Sequence, residues 1–230
     1  MRNSLFIIII VLLAASCKKD NYAAPGTSFK GRIICQGEAV NVSQGEVFFE
    51  LWESGWGKRT PVNVAIAQDG SFSSLLFDGN YQLVLPKGQG PYLTLPDAAS
   101  HTDTMLLQLK GDRTMDIAVL PYYMIRNAKA SANGRQVTTN CKLDKIITDT
   151  RAKNVERITL YVNRTQFVDG INNIATQSIN GGDIQDPGNI TLQVNVPAVN
   201  PAQSSVFVRV GVKIEGVEDM IFSPVIEQKL

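Results

Sequence analysis

One histidine, two tryptophans and three cysteines are all that 230 residues provide of the side chains that most often carry chemistry. A single histidine, His101, excludes a histidine-rich metal site and weakens every Ser-His or Cys-His scheme. No HExxH, CxxC, phosphate-binding glycine loop or EF-hand loop occurs, so neither a metal nor a cofactor is expected. Neither sign of charge dominates: 22 Lys and Arg face 21 Asp and Glu, scattered along the chain. The electrostatic footprint of a nucleic-acid partner is therefore missing. Helical periodicity is nearly absent, and after position 17 no segment is apolar and long enough to span a bilayer. A glycosidase needs only two carboxylates, about 5–10 Å apart, and 21 acids leave such a pair open. Asp69, Asp78 and Asp186 sit in turn sequences, however, and are more simply read as turn formers. The chain is expected not to be an enzyme.

What is present begins at the N-terminus. Arg2 supplies a positive flank, and Leu5–Ala15 is an unbroken apolar run of secretory-signal length. Ala14, Ala15 and Ser16 lead into Cys17. This stretch resembles the lipobox of bacterial lipoproteins, with the expected leucine one place early, at Leu13, as in the looser boxes of Bacteroidetes. The resemblance implies cleavage before Cys17 and a diacylated cysteine that anchors the chain in the outer membrane, at the cell surface or on the periplasmic face. Each buried CH2 contributes ~0.8 kcal/mol, and more than one acyl chain is needed for a stable anchor. Lys18, Lys19 and Asp20 resemble an outer-surface sorting signal. The alternative is an ordinary signal peptide cut near Ser16. Residues 18–26 then form a linker.

The remainder reads as two β-rich domains, 27–120 and 121–230. In the first, short alternating segments recur: Phe29–Cys35, Glu46–Glu53, Val62–Ile66, Ser71–Leu76, Asn80–Leu85, Asp103–Leu109 and Met115–Leu120. They predict an antiparallel sandwich, with Asp78-Gly79 as a hairpin signal and Gly70 and Gly79 at positive-φ turn positions. The order Ile66-Ala-Gln-Asp69-Gly70-Ser-Phe72, then Gly79-Asn80-Tyr81, resembles the transthyretin-like or carboxypeptidase-regulatory-like sandwich. That likeness implies that Phe72 and Tyr81 enter the core. Pro86–Thr102 departs from it as a long loop, either a binding loop or a solvated connection.

In the second domain, Met124–Asn133 and Gln136–Leu143 are joined by Asn133-Gly134. Alternation places Ile158, Leu160 and Val162 inward and Tyr161 outward. It places Val206, Val208, Val210, Val212 and Ile214 inward and Phe207, Arg209 and Lys213 outward. Ile190–Val196 and Met220–Glu227 add strands, with Pro224 marking an edge or bulge. Count and spacing suggest a fibronectin- or immunoglobulin-like sandwich without the Cys-Trp-Cys hallmark. Cys35 and Cys141 fall in different domains and are read as two buried free thiols, with a disulfide as the alternative.

Lipoprotein signal, first sandwich, Pro121-Tyr122-Tyr123 junction and second sandwich together resemble a Bacteroidetes lipoprotein family of unknown function associated with polysaccharide-utilisation systems. The resemblance implies an import porin and a glycan-capturing lipoprotein as partners. Trp52 and Trp56 bracket a loop and are the candidate oligosaccharide-binding residues, with Glu53, Lys58 or Arg59 able to bond hydroxyls. Tyr92 and Tyr161 are further candidates. The competing expectations are that Trp52 packs against the second domain or a loop and that the chain is a structural spacer or protein-interaction module.

Overall fold

The computed structural model describes residues 23–55, 60–98 and 101–230. The signal segment with Cys17, and Trp56, Lys58 and Arg59 of the tryptophan loop, lie outside the described residues. Almost everything described is β-strand or turn, and a single 3-10 turn, Gly181–Asp183, is the exception among them.

The N-terminal part contributes β1 (Thr27–Cys35), β2 (Glu38–Ala39), β3 (Phe48–Glu53), β4 (Val62–Ala65), β5 (Ser71–Leu76), β6 (Gly79–Val84), β7 (Tyr92–Thr94), β8 (Thr104–Leu109), β9 (Arg113–Thr114) and β10 (Ile117–Pro121). They form two sheets. One has the order β4-β3-β6-β8. The other runs β2-β1-β10-β7, with β5 and β9 also pairing β1. Alternating side chains from both sheets meet between them, as the period-2 pattern requires. Phe29, Phe49 and Phe72 form the aromatic centre, with ring centroids 4.9 Å apart for Phe49–Phe72 and 5.2 Å for Phe29–Phe72. Phe72 and Tyr81 are both buried, as the family likeness implied.

Asp78-Gly79 does not close a hairpin. Strand β5 pairs with β1, whereas β6 pairs with β3 and β8 in the opposite sheet. The chain crosses between sheets here, and the Asp78 carboxylate ties the crossing to both neighbours. It accepts from the Gly111 N–H at 2.9 Å and from the Thr27 hydroxyl. Gly70 has φ +79°, as expected, but Gly79 has no positive φ. Space is what glycine provides there: a Cβ would lie 2.7 Å from Glu53 Oε1. Asp69 is the turn former it was read as, with Oδ1 accepting from the Ser71 N–H at 3.0 Å. Two short pairings, β1–β9 and β1–β10, are parallel. The first and last strands of the domain run side by side, and the whole domain serves as their crossover.

The C-terminal part contributes β11 (Tyr123–Asn133), β12 (Gln136–Lys145), β13 (Val155–Asn163), β14 (Ala175–Asn180), β15 (Ile190–Asn195), β16 (Ser205–Ile214), β17 (Ile221–Phe222) and β18 (Ile226–Lys229). Its sheets are β11-β12-β15 and β14-β13-β16-β17, with β18 also on β16. The β11–β12 hairpin turns directly after Asn133, which faces Gln136. The expected strand Met220–Glu227 is two strands, because Pro224 has no N–H to donate and interrupts the ladder. Strand β14 alternates only weakly in the sequence; it is a half-exposed edge strand paired to β13, with Ala175 and Ile179 packed against the core. Cys35 and Cys141 are free and buried.

Arg209 and Tyr161 correct the outward assignments. Both stand on the face of β13 and β16 away from the main core, yet Arg209 is 0% and Tyr161 5% exposed. With Val168 and Phe222 they form a second small core, covered by the loop after β13 and by a turn of the N-terminal domain.

Candidate functional site

Three expected aromatic site positions, Trp52, Tyr92 and Tyr161, can be placed, and the structure does not bring them together. Tyr92 opens β7 inside the Pro86–Thr102 segment and is 6% exposed. Its ring lies against Gly90, whose added Cβ would sit 2.3 Å from Tyr92 Cε1. Burial pushes the hydroxyl well above the usual tyrosine range, with the Asp219 carboxylate adding to the shift. Tyr92 therefore belongs to the domain junction, out of reach of a stacking ligand. Gly90 there donates its N–H to Asp219 Oδ2 at 2.7 Å. The long segment is thus part of the junction rather than a free loop, apart from its tip, where His101 is exposed. Tyr161 is buried in the second core, its hydroxyl 3.7 Å from Met220 Sδ.

Trp52 occupies a different setting. It lies on the outer face of the β4-β3-β6-β8 sheet, opposite the buried Phe49 and Leu51. The indole Nε1–H donates to Glu50 Oε2 at 2.8 Å, which lays the half-buried ring along its own strand. Register then decides its neighbours. Trp52 pairs with Gln82, and Gln82 pairs with Leu106. Leu106 is 72% exposed. One step along, Asn80 pairs with Gln108, and the Gln108 amide donates to Asn80 Oδ1 at 3.1 Å.

These residues line a shallow cleft of about 300 Å³ together with Ser54. An apolar strip of indole and leucine is bordered by three amides. That bond uses neither the two Asn80 N–H donors nor the Gln108 carbonyl oxygen. Such a surface can stack an apolar ring face and bond hydroxyls at its margin. The tryptophan was legible from its residue type. Gln82, Leu106, Asn80 and Gln108 were not, because Asn80 and Gln82 lie 28 and 30 positions from Trp52, Leu106 and Gln108 lie 24 and 28 positions from their partners on β6, and nothing local announces the register.

Among the described residues, no group of three or more His, Cys, Asp or Glu side chains could hold a metal ion. No helix among them is long and apolar enough to cross a membrane.

Comparison with known proteins places this geometry in a family. Residues 27–120 match the model of a "protein of unknown function (DUF3823) N-terminal domain". Residues 123–227 match the accompanying C-terminal "domain of unknown function". No curated protein is significantly similar to the chain. Among solved structures, a DUF3823 family protein from Parabacteroides merdae is 31% identical, with TM-score 0.76, over 90% of this chain and 100% of the other. One from Bacteroides ovatus is 28% identical, with TM-score 0.76, over 89% and 99%. A protein from Bacteroides uniformis described as a candidate carbohydrate-binding protein shares the fold, with TM-score 0.67 and 19% identity over 90% and 100% of the two chains. Sequence and fold agree over nearly the whole described chain, and this protein belongs to the DUF3823 family, whose function is unknown.

Proposed function

We propose that the protein is a non-catalytic, lipid-anchored accessory of a polysaccharide-utilisation system that holds glycan on the outer face of its first sandwich. The observation that carries this reading is the Trp52–Gln82–Leu106 row, flanked by the Asn80–Gln108 amide pair over an open cleft. Ligand sites of this kind combine an apolar floor with a few placed polar groups. The description of the Bacteroides uniformis relative points the same way. Among the described strand positions of this face Glu50 is the one carboxylate, and the Trp52 indole engages it. A glycosidase would need a second. The Cys17 lipobox and the charged residues behind it support an anchor in the outer membrane, facing the cell surface; an import porin and a glycan-capturing lipoprotein are the neighbours that the family resemblance implies.

Affinity electrophoresis against a polysaccharide panel tests the binding, with Trp52→Ala and Trp56→Ala beside the parent. Retardation by at least one glycan, lost in Trp52→Ala, is the expected result. No retardation by any glycan, or retardation indifferent to Trp52, overturns it. Mass spectrometry of the mature N-terminus checks the anchor, and an unmodified peptide in the soluble fraction rejects it.

A second reading, a protein-interaction module in an envelope assembly, is favoured by one specific observation. Val62, Leu75 and Phe77 are 44%, 59% and 40% exposed and line an apolar groove of about 410 Å³ with Pro25. Cross-linking in membranes followed by co-purification tests it. Under this reading a partner is captured by the parent and lost in Leu75→Asp with Phe77→Asp.

A further inference from the structure

The apolar groove of the first domain lies at the end of the sandwich nearest Cys17. Strand β5 starts at Ser71, beside the Gln68 turn that Arg209 and Gln166 of the second domain engage. It ends at Leu76, which pairs with Thr27, the first residue of β1. Six positions at ordinary strand rise separate Ser71 from Phe77, about 20 Å. The second domain therefore holds one end of the sandwich, and Pro25, Val62, Leu75 and Phe77 gather at the other. Their corner is fixed. The Tyr81 hydroxyl donates to the Phe77 carbonyl at 3.0 Å, and Asp78 accepts from Thr27 and Gly111. Glu53, the one acid among the lining residues, sits against the Tyr81 hydroxyl. Exposed aliphatic and aromatic side chains clustered in this way mark a contact surface for protein or membrane.

The tether length favours the membrane. Pro25, in the groove lining, stands eight positions after Cys17. Eight residues reach at most about 29 Å when fully extended. An acylated Cys17 sits in the bilayer surface, so the groove never stands further than that from lipid. Docking on the lipid is then intramolecular, and a few apolar side chains suffice for a contact that would be negligible without the tether.

From this we infer that the Val62–Leu75–Phe77 groove seats on the lipid surface that holds Cys17, which stands the first sandwich on its apolar end and keeps the second domain away from the bilayer. The inference rests on the lipid-anchor reading above and adds a second membrane contact to it.

Spin labelling of the lipidated full-length protein, in vesicles of phosphatidylethanolamine with a minority of phosphatidylglycerol, tests it. One nitroxide is placed at Ser73→Cys, exposed two positions before Leu75 on the same face of β5. A reference nitroxide is placed at Gln185→Cys, exposed in the second domain. Cys35 and Cys141 are buried and do not compete for label. Flotation with the vesicles measures anchoring separately. Oxygen, which concentrates in lipid, is expected to reach the label at position 73 more than that at 185, and a water-soluble nickel complex severalfold less. Adding Leu75→Asp and Phe77→Asp is expected to abolish the difference in protein that still floats and keeps the parent's circular dichroism. A label at position 73 as open to nickel as that at 185, in floating protein, overturns the docking and leaves the anchor standing. A label shielded from nickel and oxygen alike also overturns it, because polypeptide then fills the groove. Protein that does not float removes anchor and docking together.

Discussion

Asp219 of the second domain accepts the Gly90 N–H of the first at 2.7 Å, across 129 residues of chain. Burial raises the pKa of this carboxyl above the ordinary range, against the opposing pull of the Gly90 bond. A raised carboxyl holds its proton in the folded state at pH values where the unfolded chain has lost it. Its favourable contribution is therefore present at low pH and is lost as pH rises through the folded pKa. Asp219→Asn keeps an acceptor for Gly90 and removes the buried charge. Its melting temperature is expected to equal or exceed that of the parent at neutral pH. The parent's decline as pH rises above the ordinary carboxyl range is expected to flatten in this variant. Asp219→Ala, which leaves the Gly90 N–H without a partner, is expected to lose about 1–3 kcal/mol. Thermal melts across pH check all three.

Arg209 is the second tie between the domains. Its guanidinium is fully buried, stacks on Phe222 at 4.4 Å, and donates to the carbonyls of Ser223, Val168 and, in the first domain, Gln68. Desolvation lowers its pKa to about 9, while Asp169 and Asp69 pull the other way, so it is charged at neutral pH. Arg209→Ala strips two buried carbonyls and the half-buried Gln68 carbonyl of their donor and opens a cavity. About 3–5 kcal/mol of destabilisation is expected. The loss falls on the junction as well as the second core. Calorimetric unfolding is expected to show one transition in the parent and two in Arg209→Ala. A single unshifted transition rejects the tie.

Gly31 faces the core from β1, and a Cβ there would lie 1.9 Å from the Met115 carbonyl oxygen. Backbone cannot yield as a side chain can. Gly31→Ala is expected to cost more than about 2 kcal/mol. Gly26→Ala, with nothing within 4 Å, is expected to be neutral. Chemical denaturation of the pair measures both.

Cys35 and Cys141 are buried free thiols, and burial pushes the Cys141 thiol up to about 11. A thiol-reactive dye is expected to label neither in the folded protein at neutral pH and both after denaturation without reductant. Absence of labelling after denaturation would mean that a disulfide joins them.

Much of the strand framework was legible. Strand β5 falls on Ser71–Leu76 as its alternation predicts, and Phe72 and Tyr81 point inward. Partners were not legible. Asp-Gly serves equally well in a hairpin and in a crossing between sheets, and the partners Asp78 takes here, Thr27 and Gly111, are far away in the chain. Alternation also sent Arg209 and Tyr161 away from the main core correctly, yet could not tell that face from solvent.

The sequence by itself determined which residues could lie in strands, which of them share a face and where the apolar sides fall, because side-chain period and turn chemistry are local properties of the chain. Tertiary structure decided which strands meet, that the far side of β16 is buried beneath the turn at Gln68, and that Gln82 and Leu106 stand in line with Trp52. Those outcomes depend on register and docking between segments far apart in sequence, where pairing and desolvation are settled only when the whole chain has packed.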